Sequence, residues 1–210
     1  MNTCSLSVGM RALRLVAVAL WFMLPAPAAA AEAAIAAAHP LAVNAGHDVL
    51  ARGGNAFDAA VAVAAVLAVV EPYSSGLGGG GFFLLHRAAD GRQVMIDGRE
   101  TAPAGAVRAL YYDASGTPRR GATTRGGTAV AIPGTPAALA HVAQHYGRLP
   151  LAATLAPAIR HAREGFRVDA RYARIAAMRE HFLREHAQAA AVFLDEGRAP
   201  QPGHLLRQPD

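Results

Sequence analysis

The stretch Ser74–His86, SSGLGGGGFFLLH, decides the fold. Its glycines at Gly76, Gly78 and Gly81 match the spacing G-x-G-x-x-G of a dinucleotide-binding turn. Such a turn leaves a strand and opens a helix, so that the helix N-terminus and bare amides face a pyrophosphate. Here the order is reversed. Upstream, Asn55 caps a helical run AFDAAVAVAAVLAVV closed by Pro72, and downstream GFFLLH has the aromatic and aliphatic content of a strand. The match is an accident of a glycine tract, and the chain has neither G-K-[ST] nor G-x-S-x-G. Such a tract instead implies close approach of backbone to backbone or to a substrate.

Outward from the tract, LAVNAGHDVLARGG reads as an amphipathic helix stopped at Gly53-Gly54. The helix that Asn55 opens is apolar on nearly every side, which predicts burial. FFLLHRAADGRQVMIDGRE holds two apolar runs around Asp90-Gly91, the signature of a β-hairpin. Its second strand delivers Asp97, Arg99 and Glu100, which form either an ion network closing the hairpin or a site. YYDASGTPRRGATTRGG is a turn-rich exposed loop. Helices are expected from Pro136 to about Tyr146, from Leu151 to Gly165 and from Ala170 to Ala191. His141 and His145 share a helix face, but without H-E-x-x-H or a third ligand they read as polar-face histidines.

With 210 residues, 53% of them hydrophobic, the chain has the apolar content for a core. Arg11 and Arg14 precede the apolar run Leu15 to Leu24 and the small residues PAPAAAAEAA, so residues 1–31 read as a secretory signal peptide and residues 32–210 as the folded part. The run is short for a bilayer span, and no stable membrane insertion is expected after cleavage. The single cysteine, Cys4, lies in the leader, so the mature chain carries no disulfide. All 20 Lys+Arg residues are arginine, which leaves no lysine for a P-loop or a Schiff base. The formal charge of +5 is mild and the arginines are spread with only 6% aromatics, which argues against nucleic acid as a partner.

Three motifs in order, G-G-N-A-x-D-A-A-V-A, S-G-L-G-G-G-G-F and D-x-R-E-x-A-P, followed by GRLPLAATLAPAIRHAREGF and GHLLRQPD, resemble the N-terminal part of the large subunit of γ-glutamyltranspeptidases (glutathione hydrolases). The resemblance runs from about Ala36 to Asp210. It implies an α/β (α+β) fold, the αββα sandwich of N-terminal-nucleophile hydrolases, of which this chain holds the N-terminal part. It implies a periplasmic or secreted enzyme made as one precursor that cuts itself before a threonine, giving a small subunit as partner. That threonine takes the γ-glutamyl group of glutathione or other γ-glutamyl compounds as an ester and passes it to water, amino acids or peptides. No metal or organic cofactor is implied.

By the same resemblance the arginine of D-x-R-E falls on Arg99 and holds the donor's α-carboxylate, a task suited to a planar guanidinium. Asp97 and Glu100 are then orienting groups, and Gly78, Gly79, Gly80 and Gly81 are structural, allowing tight packing. The nucleophile is expected beyond Asp210, since Thr123-Thr124 lies in the turn-rich loop, and this stretch alone is expected to be inactive. A cephalosporin or glutaryl acylase of the same fold and a non-catalytic secreted remnant remain alternatives.

Overall fold

The computed structural model describes residues 33–209, so the expected signal peptide lies outside the described residues. Helix α1 (Pro40–Ala51) begins at His39, whose Nδ1 accepts from the Leu41 amide, and the chain leaves it through Gly53 at φ 90°. Helix α2 (Ala56–Val70) opens on a capping box: Asn55 Oδ1 accepts from the amides of Phe57 and Asp58, while Asp58 Oδ2 accepts from the Asn55 amide. As its composition predicts, α2 is buried almost all round; only Ala56 and Ala60 are exposed.

Strands β1 (Gly81–Arg87) and β2 (Arg92–Gly98) pair antiparallel, with Phe82 opposite Asp97 and Leu84 opposite Met95. The turn between them carries Gly91 at φ 68°, a left-handed conformation that a glycine adopts at no steric cost. Side chains alternate across the pleat. Phe83, Leu85 and Ile96 face inward onto Val61 of α2 and onto Leu139, Val142 and Ala143 of helix α3 (Thr135–Tyr146). Phe82, Leu84 and Met95 face out, at 56, 76 and 65% exposure.

Helix α4 (Leu151–Glu164) packs on α2. The other face of α2 meets α1, helix α5 (Ala170–Arg184) and the strand pair β3 (Phe166–Arg167) and β4 (Leu205–Leu206) in a second core around Ala45, Val66, Val70, Phe166, Tyr172 and Leu206. The chain's last described residues return to α2, where Gln208 Nε2 donates to the Val69 carbonyl at 2.8 Å. The sandwich expected from sequence is represented here by one hairpin on one helical layer, beside a small second strand pair.

One expected helix is two. The run from Ala170 to Ala191 breaks after Arg184, and helix α6 (Ala187–Phe193) starts after His186, whose backbone is extended. No glycine or proline marks the break. The returning segment 197–199 holds the end of α5 from the side: Arg184 Nε donates to the Gly197 carbonyl at 2.5 Å, and Glu180 Oε2 accepts from the Ala199 amide at 2.8 Å. The turn lets Phe193 pack against the second core.

Candidate active site

The end of β2 is built by close approach. Gly98 is buried, and a Cβ there would stand 2.7 Å from the Ala138 Cβ, so α3 packs directly on the strand backbone. Arg99 follows. Its amide donates to Asp97 Oδ1 at 2.9 Å, its Nε donates to Glu100 Oε2 at 3.2 Å, and its guanidinium carbon lies 5.9 Å from the centroid of the Phe82 ring. Among the described residues no hydrogen-bond partner faces its Nη1 or Nη2, and the side chain is 56% exposed. Of the ion network considered from sequence, only the Arg99–Glu100 pair forms; Asp97 caps the Arg99 backbone instead. The Glu100 carboxyl is held below its ordinary value, first by its own backbone amide and then by Arg99.

The glycine tract feeds this corner. A Cβ on Gly80 would collide with the Glu100 carboxylate and with the backbone of Arg99 and Glu100, so only glycine gives Glu100 its seat. The Gly79 carbonyl accepts from the amides of Gly134 and Thr135, both at 3.1 Å, and from Thr135 Oγ1 at 3.0 Å. A carbonyl oxygen therefore fills the N-terminus of α3, the place where an anion would otherwise be drawn. Of these four glycines, Gly80 is the one packed against neighbouring atoms. Gly78, Gly79 and Gly81 have no atom within reach of an added Cβ and border an open hollow of about 560 Å³.

A second hollow, about 410 Å³, runs between the end of β2 and α3 and is lined by Asp97, Arg99, Thr101 and His141 among others. His141 shares this hollow with Arg99, a proximity that no local sequence pattern marks. The His141 and His145 rings stack with centroids 4.1 Å apart, and both side chains are exposed. Among the described residues no group of three or more His, Cys, Asp or Glu side chains is arranged to hold a metal ion. Thr124 turns back on its own loop, its amide donating to the Gly121 carbonyl at 3.0 Å.

Sequence reasoning also missed the residue that holds the two core helices in place. Asp58 is fully buried, and beyond its capping bond it accepts from the amides of Arg148 at 2.9 Å and Leu149 at 3.3 Å. Asn55 Nδ2 adds a bond to the Tyr146 carbonyl at 2.7 Å. A Cβ on Gly147 would strike the Asp58 carboxylate, so the α3–α4 turn is closed directly over it. The only trace in sequence is the N-A-x-D spacing, which signals the cap but not the distant turn.

Residues 42–210 match the family model described as Gamma-glutamyltranspeptidase. The chain is 37% identical to a glutathione hydrolase proenzyme of Pseudomonas sp. (strain A14), over 88% of this chain and 32% of that protein. It is 38% identical to the Acylase ACY 1 proenzyme of Pseudomonas sp. (strain SE83), over 88% of this chain and 34% of that protein. The fold superposes on the crystal structure of Helicobacter pylori gamma-glutamyltranspeptidase with a TM-score of 0.79 at 34% identity, covering 82% of this chain and 50% of the other. The chain thus spans about a third of the length of the curated relatives it matches.

Proposed function

Because the chain belongs to the γ-glutamyltranspeptidase family, we propose that it forms the N-terminal part of the large subunit of a γ-glutamyltransferase / glutathione hydrolase, with Arg99 as the clamp for the donor's α-carboxylate. Its α+β fold is that of the N-terminal-nucleophile hydrolases. One observation carries the assignment of Arg99: Nε is engaged by Glu100, while the terminal edge of the guanidinium has no partner among the described residues. Two parallel N–H groups in that edge match the two oxygens of a carboxylate. Asp97 and Glu100 orient the arginine, one through its backbone and the other through Nε.

The chemistry needs a threonine nucleophile and a small subunit from the part of the relatives that this chain does not span. The apolar outer face of the hairpin supports that partnership, since Phe82, Leu84 and Met95 lie open in a row that another layer of the sandwich would cover. Among the described residues no helix is long and apolar enough to cross a membrane, and export to the periplasm or beyond rests on the leader.

In the complete enzyme, Arg99→Ala should weaken donor recognition by about 2–5 kcal/mol, the range for truncating one partner of a hydrogen-bonded charge pair. Arg99→Lys keeps the charge but not the fork and should recover little of it. An unchanged donor KM in both variants refutes the clamp. The similarity to the ACY 1 acylase favours a second reading, a cephalosporin or glutaryl acylase of the same fold, for which a glutaryl amide serves as the test substrate. A glutaryl amide keeps the carboxylate but lacks the α-amine. Turnover of glutathione and not of the glutaryl amide selects the first reading, and the reverse selects the second.

A further inference from the structure

We propose that Phe82 is a positioning residue for Arg99, its ring backing the guanidinium so that the edge opposite Glu100 faces the donor. The inference rests on the reading of Arg99 as the carboxylate clamp.

Three supports fix the arginine in the structure. Asp97 takes its amide, Glu100 takes Nε, and Phe82, directly across the hairpin from Asp97, lies under the guanidinium at 5.9 Å. The first two fix the backbone and one edge of the head group. They leave rotation about the bonds before Nε to be restrained by whatever lies against the plane, because an arginine carries about 2 kcal/mol of rotamer freedom. Phe82 is the aromatic ring whose face the guanidinium carbon overlies. A ring face attracts the cation without competing for its N–H groups, so the terminal edge keeps its full donor capacity for the substrate. A carboxylate in the same place would occupy that edge.

The glycine tract acquires a second meaning from this arrangement. Phe82 follows directly on Gly80-Gly81, and Gly80 gives Glu100 its seat, so the tract brings both the ring and the carboxylate to one side chain. The outward exposure of Phe82 then has a local purpose besides the one it shares with Leu84 and Met95 further along the same face.

A double-mutant cycle in the complete enzyme tests this, with donor KM and kcat measured for wild type, Phe82→Leu, Arg99→Ala and the double variant. Phe82→Leu keeps an apolar strand residue and removes the ring face. It should raise donor KM about three- to tenfold with kcat nearly unchanged, Phe82→Tyr should keep the wild-type value, and the effect should vanish when Arg99 is already alanine, which leaves no cation over the ring. Additive effects in the cycle, or a fall in kcat with KM unchanged, overturn the proposal. The cycle is repeated with Phe82→Met; if neither apolar variant matures while Phe82→Tyr does not rescue KM, Phe82 is a packing residue and the proposal fails. The clamp itself is judged separately by Arg99→Lys alone: an unchanged KM there defeats the clamp, whereas a raised KM without coupling to Phe82 defeats only the present inference.

Discussion

Replacing Asp58 by alanine removes the acceptor for three backbone amides at once, those of Asn55, Arg148 and Leu149. The site is fully buried, and a buried donor left without a partner costs about 1–3 kcal/mol. Some relaxation and entry of water keeps the three from adding in full, so the expected loss is about 3–5 kcal/mol. Asparagine behaves differently. Its single oxygen placed where Oδ2 stands keeps the bonds to Asn55 and Arg148 and turns an amide toward the Leu149 N–H, whose bond is the longest of the three at 3.3 Å. Its cost should be about 1–2 kcal/mol. Urea and thermal unfolding of the purified protein, followed by circular dichroism, read both values, and a domain of this size should lose about 6–20 °C of Tm with alanine. A loss below about 1 kcal/mol for alanine refutes the reading of Asp58 as the tie between α2 and the α3–α4 turn. Equal losses for alanine and asparagine would place the effect in the charge at the α2 N-terminus instead.

Gly80→Ala should destabilise by about 1–3 kcal/mol as the Glu100 carboxylate is pushed off its seat, while Gly78→Ala and Gly79→Ala, directed into open space, should stay within about 0.5 kcal/mol in the same unfolding assay. His161 has its pKa pushed below 6.5, chiefly by burial and then by Arg160. Its neutral form is favoured by the fold, so its stabilising contribution is present above 6.5 and is lost as pH falls; His161→Gln should flatten the loss of stability between about pH 7 and 5. Asp90, hydrogen-bonded by Arg87 across the hairpin turn, should titrate at about 2 by carboxyl NMR and return toward 3.8 in Arg87→Met. An unshifted Asp90 in the wild-type protein would show that the turn pair does not form in solution.

What could be read from the sequence was what neighbouring residues decide. Asn55, Gly53 and Pro72 bound their helices by rules that act within a few positions, and Asp90-Gly91 placed the hairpin turn the same way. The glycine tract was readable through its flanks, because a helix before it and a strand after it exclude the dinucleotide turn. The place of Arg99 directly after the second strand was readable from the hairpin pattern. The α5–α6 break was not, because no glycine or proline marks it and the bonds beside it come from the later segment 197–199. Nor was the particular need for Gly80, since four adjacent glycines look alike until Glu100 is set over one of them.

The Asp58 clamp also bears on rates. Its two outer bonds join positions 90 and 91 residues apart, whereas the β1–β2 hairpin closes over a short turn. Hairpins form within about 1–10 μs, while a long loop must lose more chain entropy before its contacts return anything. The bonds to Arg148 and Leu149 are therefore expected to form after the helices and hairpin have met, with the rate-limiting state crossed largely without them. Losing them should speed unfolding and leave refolding nearly unchanged, so the buried carboxylate acts as a brake on opening and sets how long the folded chain lasts.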